Sequence, residues 1–192
     1  MLLDYLPPAS ALLVAICRLI EVRSSDRGTK RGKVEEKFTF LLFLIIGSVM
    51  TAGSIIEYFQ AHRAVSFHWE VYALGVICAV ASFKLRWSAI AALREFFSVH
   101  VETREDHELI RTGPFRFVRH PIYFSMVLET ASFGLLCNAW LMLCVIPLAF
   151  IPAMWARLRR EEQTLVEKFG DAYRTYQRQV PMMIPYKWPS AK

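Results

Sequence analysis

The sequence predicts an all-α, polytopic integral membrane protein of about five transmembrane helices, with a cytoplasmic amphipathic helix near the C-terminus. Of its 192 residues, 55% are hydrophobic and 21% are charged, whereas a soluble domain typically has about 45–50% apolar residues and about 25% charge. The charged residues are also bunched, so that several long stretches contain almost none. The excess of apolar residues therefore lies in segments that a lipid bilayer could solvate.

Five apolar stretches are candidates for membrane spans, because crossing the hydrocarbon core takes roughly 20 apolar residues and about 17 at the short end. In chain order they cover residues 6–20, 38–59, 67–83, 122–137 and 139–156. The second stretch is the strongest, with Glu57 as its only charge, and the first is the weakest. Asn138 alone separates the last two stretches, which predicts a tight helical hairpin.

The distribution of Lys and Arg predicts the orientation, because short translocated loops carry few of these residues. Six of them lie in residues 21–37, seven in 84–121 and eight in 157–192, but only Arg63 lies between the second and third spans. This alternation predicts five crossings, with the N-terminus extracytoplasmic and the C-terminus cytoplasmic. The two long cytoplasmic segments would then hold the polar chemistry of a single membrane-embedded domain over residues 1–192.

The charged and sulfur-containing residues predict neither a metal site nor a nucleic-acid site. The four cysteines lie inside apolar runs without the C-x-x-C spacing of a metal or redox site. The histidines and acidic residues between His100 and His107 are more typical of a charged cytoplasmic turn than of a ligand set. The formal net charge of +6 in an apolar chain favours anionic lipid headgroups over nucleic acid.

The segment before the fourth span is the most informative part of the chain. It reads HELIRTGPF over residues 107–115 and VRHPIY over 118–123. Gly-Pro predicts a turn, and Pro121 suits the first position of a helix, with His120 at or near the N-cap. The free N–H groups of that turn predict an anion site at the cytoplasmic mouth of the span, although a membrane-entry cap with Arg119 on a lipid phosphate explains the same spacing.

A second cluster follows the fifth span. Its apolar and aromatic side chains recur at helical spacing, which predicts an amphipathic helix leaving the membrane: Leu158, Leu165, Phe169, Tyr173, Tyr176 and Val180. Arg157 and Glu161 are four residues apart and share one side of that helix. By pattern alone, a solvated, salt-bridged interfacial helix explains this cluster as well as a functional site does.

Taken together, the two clusters resemble the isoprenylcysteine carboxyl methyltransferase family and its phospholipid methyltransferase relatives. The resemblance covers about residues 100–185 and rests on H-x-L-I at 107–110 and R-H-P-x-Y at 119–123. It continues with E-E-x-x-L-x-x-x-F-G-x-x-Y-x-x-Y, which begins at Glu161 and ends at Tyr176. The separation between the two motifs, with a helical hairpin between them, makes the pattern specific.

The resemblance implies an enzyme that transfers a methyl group from S-adenosylmethionine to a lipophilic acceptor. The favoured acceptor is the α-carboxylate of a prenylated cysteine or an analogue, which would become a methyl ester. The cofactor would lie between the segments 100–123 and 157–185, held by His107, Glu108, Leu109, Ile110, Phe115, His120, Pro121, Ile122, Tyr123 and Glu161. Arg157 would face the acceptor, with Arg119 as its helper in orienting the carboxylate.

Glu129 is the only Asp, Glu, Lys or Arg between residues 122 and 137, and it lies about 9 Å deeper along the span than Tyr123. An ionisable residue inside a span is functional by default, so Glu129 is a candidate for substrate binding. A hydrogen bond to Ser125 or to a neighbouring helix is the alternative.

Two other classes of function stay open on the sequence. A membrane reductase of the sterol-reductase type would use NADPH, whose extra phosphate favours Arg or Lys where this chain has Glu161 and Glu162. A non-catalytic lipid-binding membrane protein would need neither motif for ligand binding. Replacement of Glu161 or His120 by alanine separates the non-catalytic class, whose function would be unchanged, from an enzyme, which would lose cofactor binding.

Overall fold

The computed structural model describes residues 3–25, 37–61, 66–93 and 109–185, and every regular element in this part of the chain is helical. The α-helices are α1 (Leu6–Ser25), α2 (Lys37–Ala61), α3 (Trp69–Leu93), α4 (Pro121–Cys137), α5 (Trp140–Phe169) and α6 (Asp171–Gln179). Short 3₁₀ turns lie at Leu3–Tyr5 before α1 and at Gly113–Arg116 before α4. The all-α class predicted from the sequence is confirmed for the described residues.

Four helices in the described part of the chain, α1, α2, α3 and α5, are long and apolar enough to cross a membrane. Only 22–28% of the residues in their most apolar windows are buried inside the protein, so most of their apolar side chains face outward. The fourth predicted span forms α4, an apolar helix of 17 residues. Ten of those residues are buried, which distinguishes α4 from the four longer helices.

The helix α4 lies at the centre of the molecule, in contact with α1, α2, α3 and α5. Its closest neighbour is α3, whose buried face is mostly small and recurs every three to four residues: Gly75, Ala79, Ser82, Arg86 and Ala89. Small residues let two helix backbones approach closely in a membrane. A Cβ atom built at Gly75 would come within 2.7 Å of the backbone nitrogen of Leu136.

Replacing Gly75 with alanine is therefore expected to destabilise the protein by about 1–3 kcal/mol, because the added methyl group forces α3 and α4 apart. Gly47 in α2 is the matched control, since nothing lies within 4 Å of a Cβ placed there. Alanine at Gly47 should leave stability unchanged or raise it slightly, since alanine favours helix more than glycine does. Thermal unfolding of the two variants in detergent measures the difference, and equal melting temperatures would contradict the close approach.

The predicted helical hairpin is formed, because only two residues separate α4 from α5. Asn138 adopts a left-handed conformation with φ of 50°, and its Oδ1 accepts a hydrogen bond of 2.8 Å from the backbone N–H of His68. The carboxylate of Glu57 accepts hydrogen bonds from the backbone N–H groups of Leu141 and Met142, at 2.8 and 3.0 Å. The single charge of the second apolar stretch thus stabilises the N-terminus of α5, where a helix favours negative charge.

Two helices run beyond the ends predicted from hydropathy. The third span was predicted to end at residue 83, but α3 continues to Leu93, so Lys84 and Arg86 lie on the helix. The single amphipathic helix predicted after the fifth span is divided: α5 continues to Phe169, and α6 begins at Asp171. Gly170, with φ of 55° and ψ of −129°, makes the break in a conformation that favours glycine.

Arg86 lies on this extension of α3, and its charge is buried rather than exposed on a loop. Its side chain is 1% exposed and donates to Glu21 at 2.9 Å and to Ser125 at 3.1 Å, and it forms a short ion pair with Glu129. Arg18 completes this group, with its Nη1 3.0 Å from Glu21 Oε2 and its Nε 3.8 Å from Glu129 Oε2. We call Arg18, Glu21, Arg86 and Glu129 the Arg86 cluster; its formal charges cancel, and it joins α1, α3 and α4.

Candidate active site

The two motifs singled out in the sequence come together where α4 begins and where α5 leaves the apolar core. The chain after α6 turns back and runs beside the entry to α4. There the backbone N–H of Arg119 donates to the carbonyl of Pro181, and that of His120 donates to the carbonyl of Met182, each at 2.9 Å. His120 is the N-cap of α4 and Pro121 its first residue, as predicted, although the histidine side chain makes no capping hydrogen bond.

Glu162 is the polar centre of this region. Its Oε1 accepts hydrogen bonds from Arg119 at 2.8 Å and from the hydroxyl of Tyr173 at 3.2 Å, and it lies 3.1 Å from His120 Nε2. Its Oε2 accepts from the side-chain amide of Gln177 at 3.0 Å. The carboxylate is 11% exposed, so the protein's own donors surround it and it joins α5 to α6 and to the entry of α4.

Arg119 and the two buried tyrosines of α6 extend this framework. Arg119 Nη1 donates to the backbone carbonyls of Gln177 and Val180, at 3.0 and 2.5 Å. Burial, and next the charge of Glu162, raises the pKa of Tyr173, so its hydroxyl stays protonated as a donor. Burial likewise raises the pKa of Tyr176, whose hydroxyl donates to the carbonyl of Phe115 at 2.6 Å. These contacts fix the 3₁₀ turn against α6.

Glu161, the neighbour of Glu162, faces a different environment. Its side chain is 29% exposed, and its Oε2 accepts a hydrogen bond of 2.7 Å from the hydroxyl of Tyr123. The same hydroxyl accepts a hydrogen bond of 2.7 Å from Arg157 Nε. We call this series of hydrogen bonds the Arg157–Tyr123–Glu161 chain. It places a cation and a carboxylate on either side of one buried phenol.

The apolar side of Arg157 includes residues that the sequence did not single out, of which Phe43 is the nearest to the guanidinium. The guanidinium carbon of Arg157 lies 5.7 Å from the ring centroid of Phe43 in α2 and 6.0 Å from that of Tyr123. The cluster of buried side chains there consists of Phe43, Tyr123, Phe150, Met154 and Leu158, with Met182 and Met183 among those packed against it. The apolar run of α2 gives no local signal that Phe43 would lie at this site.

The remaining predicted site residues divide into three groups. Leu109, Ile110 and Ile122 are half-buried, and Phe115 and Pro121 are buried. His107 and Glu108 lie outside the described residues. Glu129 belongs to the Arg86 cluster and not to the group around Arg157, so its predicted role in substrate binding stays a prediction. Within residues 3–25, 37–61, 66–93 and 109–185, no group of three or more His, Cys, Asp or Glu side chains could hold a metal ion.

Comparison with known proteins finds a match to the model of the isoprenylcysteine carboxyl methyltransferase family over residues 73–167, which run from α3 into the later part of α5. A protein-S-isoprenylcysteine O-methyltransferase of Schizosaccharomyces pombe is 31% identical over 126 residues, or 63% of this chain and 52% of that protein. A protein of the same name from Dictyostelium discoideum is 29% identical over 138 residues, or 67% of this chain and 53% of that protein.

A methanethiol S-methyltransferase of Crocosphaera subtropica is also similar, with 27% identity over 163 residues, or 80% of this chain and 62% of that protein. The chain spans about half the length of the two isoprenylcysteine methyltransferases that it matches. The relatives thus carry two kinds of acceptor in their names, a carboxylate on a lipidated cysteine and a small thiol.

Proposed function

Because the chain belongs to the isoprenylcysteine carboxyl methyltransferase family, we propose that it is a membrane enzyme that methylates a lipophilic acceptor with S-adenosylmethionine. The proposed acceptor is the carboxylate of a prenylated cysteine or a close analogue, and the product is its methyl ester. The observation that carries this proposal is the Arg157–Tyr123–Glu161 chain, in which both hydrogen bonds to the Tyr123 hydroxyl are 2.7 Å long. It holds Arg157, a cation that can bind the carboxylate of the acceptor, close to Glu161, a carboxylate that can bind a cationic cofactor.

The residues on the cofactor side fit S-adenosylmethionine by their chemistry. The cofactor carries cationic groups and an adenine ring, and Glu161 is a carboxylate with 29% of its side chain exposed. Phe115 and Tyr123 supply aromatic surface, and we assign the predicted set from His107 to Ile110, Phe115, His120 to Tyr123 and Glu161 to cofactor binding. When bound, S-adenosylmethionine supplies an electrophilic methyl group, which is transferred as its bond to sulfur breaks and the sulfur keeps the electron pair.

On the acceptor side, the chemistry asks for orientation and the exclusion of water. An α-carboxyl group has a pKa of about 3.5 and is ionised at neutral pH, so no general base has to remove a proton. Arg157 would orient that carboxylate by a charge-assisted, bidentate contact, and the hydrogen bond from its Nε to Tyr123 fixes the guanidinium plane. The buried apolar side chains beside it exclude water, which strengthens the attraction between the two charges.

We further propose five crossings, one by each of the helices α1 to α5, with the N-terminus outside and the active site and C-terminus cytoplasmic. A helix of 17 residues is about 25 Å long, a little shorter than the hydrocarbon core of about 30 Å. The four longer helices that surround α4 shield most of its surface from lipid, so α4 itself does not have to match the thickness of the hydrocarbon core. α6 would then lie at the cytoplasmic surface as an amphipathic helix, with Tyr173 and Tyr176 facing inward, and residues 1–192 would form one domain.

Calorimetric titration of the detergent-purified protein with S-adenosylmethionine, S-adenosylhomocysteine and NADPH tests the cofactor. We expect the two adenosyl ligands to bind and Glu161→Gln to weaken S-adenosylmethionine about 10- to 100-fold, the range for a lost hydrogen bond to a charged group. Glu167→Gln is the matched control, because Glu167 is an exposed carboxylate on the same helix.

Two results would overturn the proposal. Binding of NADPH alone assigns the chain to the reductase class, and the absence of binding by all three compounds favours the non-catalytic alternative. If the adenosyl ligands bind, incubation with N-acetyl-S-farnesylcysteine and, separately, with methanethiol identifies the acceptor. Formation of the methyl ester supports the carboxylate, whereas methylation of methanethiol alone assigns the enzyme a thiol acceptor.

A further inference from the structure

We propose that Phe43 is a specificity-determining residue, whose ring limits the size of the apolar chain that can lie beside Arg157. This inference rests on the proposed function, since it concerns the acceptor that Arg157 orients. Phe43 is 8% exposed and comes from α2, whereas the match to the family begins at residue 73. The acceptor side of the site is therefore incomplete without a helix that lies outside the matched segment.

The position of the ring relative to Arg157 is the first step of the argument. The Arg157 guanidinium carbon lies 5.7 Å from the Phe43 ring centroid, within the range of a cation–π contact. An acceptor whose carboxylate is held by Arg157 must direct its apolar chain away from the polar group formed by Tyr123 and Glu161. The side of Arg157 that offers apolar surface is the side occupied by Phe43.

The neighbours of Phe43 show which part of this wall can adapt and which part is fixed. The Phe43 and Phe150 rings pack with centroids 5.4 Å apart at an angle of 50°. The other side chains of the wall include Met154, Met182 and Met183, and unbranched methionines rearrange easily to accommodate different shapes. Because aromatic rings cannot shorten or fold, Phe43 is expected to set the limit on acceptor bulk.

The experiment compares kcat/KM for a series of N-acetylcysteines whose S-prenyl chains lengthen from about 5 to about 20 carbons in steps of about five. The series varies only the size of the apolar chain. We expect Phe43→Ala to raise the ratio of kcat/KM for the longest chain to that for the second shortest by about tenfold, and Phe43→Trp to lower it. Leu44→Ala is the matched control, because Leu44 is the next residue of α2 and its side chain is exposed; its ratio should equal that of the wild type.

Folding and function are separated by two further measurements. Wild-type affinity for S-adenosylhomocysteine shows that a Phe43 variant is folded, and Phe43→Leu replaces the alanine variant if that variant fails this criterion. A ratio that is the same in all Phe43 variants, or that shifts in one direction for both smaller and larger side chains, overturns the inference. If the wild type methylates none of the series, the proposed function fails. Displacement of labelled N-acetyl-S-farnesylcysteine by the same compounds then decides the role of Phe43. A Phe43 variant that ranks the chain lengths by affinity in a different order from the wild type supports the inference, and the same order in both overturns it.

Discussion

Replacement of Arg86 by methionine is expected to destabilise the protein by about 3–5 kcal/mol, the cost of removing one partner from a buried ion pair. The methionine keeps much of the side-chain volume but leaves Glu21 and Glu129 facing Arg18 alone. Both glutamates are buried, with side chains 9% and 7% exposed, so water cannot replace the lost guanidinium. Thermal unfolding in detergent, together with the yield of folded protein, measures the loss.

The control and the rescue follow from the charges of the Arg86 cluster. Lys84→Met removes a positive charge from the same helix at an exposed position and should change stability by less than about 0.5 kcal/mol. Adding Glu129→Gln to Arg86→Met leaves one cation, Arg18, and one anion, Glu21, which restores the balance of charge. The double variant should therefore be more stable than Arg86→Met alone. Equal stability of the two, or a single variant as stable as the wild type, would contradict the ionic role of the cluster.

Arg86 also shows where reasoning from the sequence reaches its limit. The sequence placed this residue in a cytoplasmic loop, because a charge normally ends a hydropathy window and because Lys and Arg are frequent on the cytoplasmic side. The partners that make its burial tolerable are Glu21 and Glu129, which lie 65 and 43 residues away in the chain. No local pattern records such distances, so the sequence alone does not reveal that Arg86 is buried.

The two adjacent glutamates of α5 show the same limit at the candidate site. The motif pattern singled out Glu161, Tyr123 and His120, and these residues do lie together. Neighbours on a helix point about 100° apart, so the two carboxylates cannot both face the same surroundings. Which one faces inward depends on the packing of α6, whose Tyr173 and Gln177 donate to Glu162. The resemblance assigned Glu161 alone to the cofactor, and nothing in the sequence signalled the structural contacts of Glu162.

Glu162→Ala is expected to cost about 3–5 kcal/mol and to remove ligand binding at the same time, because Arg119 and His120 would lose the carboxylate they share. Arg119 and His120 are 8% and 3% exposed at their side chains, and the segment that they anchor forms the entry to α4. The loss of binding would then be a consequence of the lost structure. Melting temperature and S-adenosylhomocysteine affinity, measured on the same preparation, test this coupling.

The comparison with Glu161→Ala separates a structural carboxylate from a binding one. Glu161 is more exposed, and its one direct hydrogen bond among the described contacts is with Tyr123. Its alanine variant should therefore lose affinity while stability falls by only about 1 kcal/mol, the cost of leaving the Tyr123 hydroxyl without its acceptor. Glu162→Gln keeps an oxygen that accepts from Arg119 and should fall between the two alanine variants in stability. If Glu162→Ala unfolds at the wild-type temperature, or if Glu161→Ala loses stability to the same extent, the two carboxylates do not divide their roles as their contacts indicate.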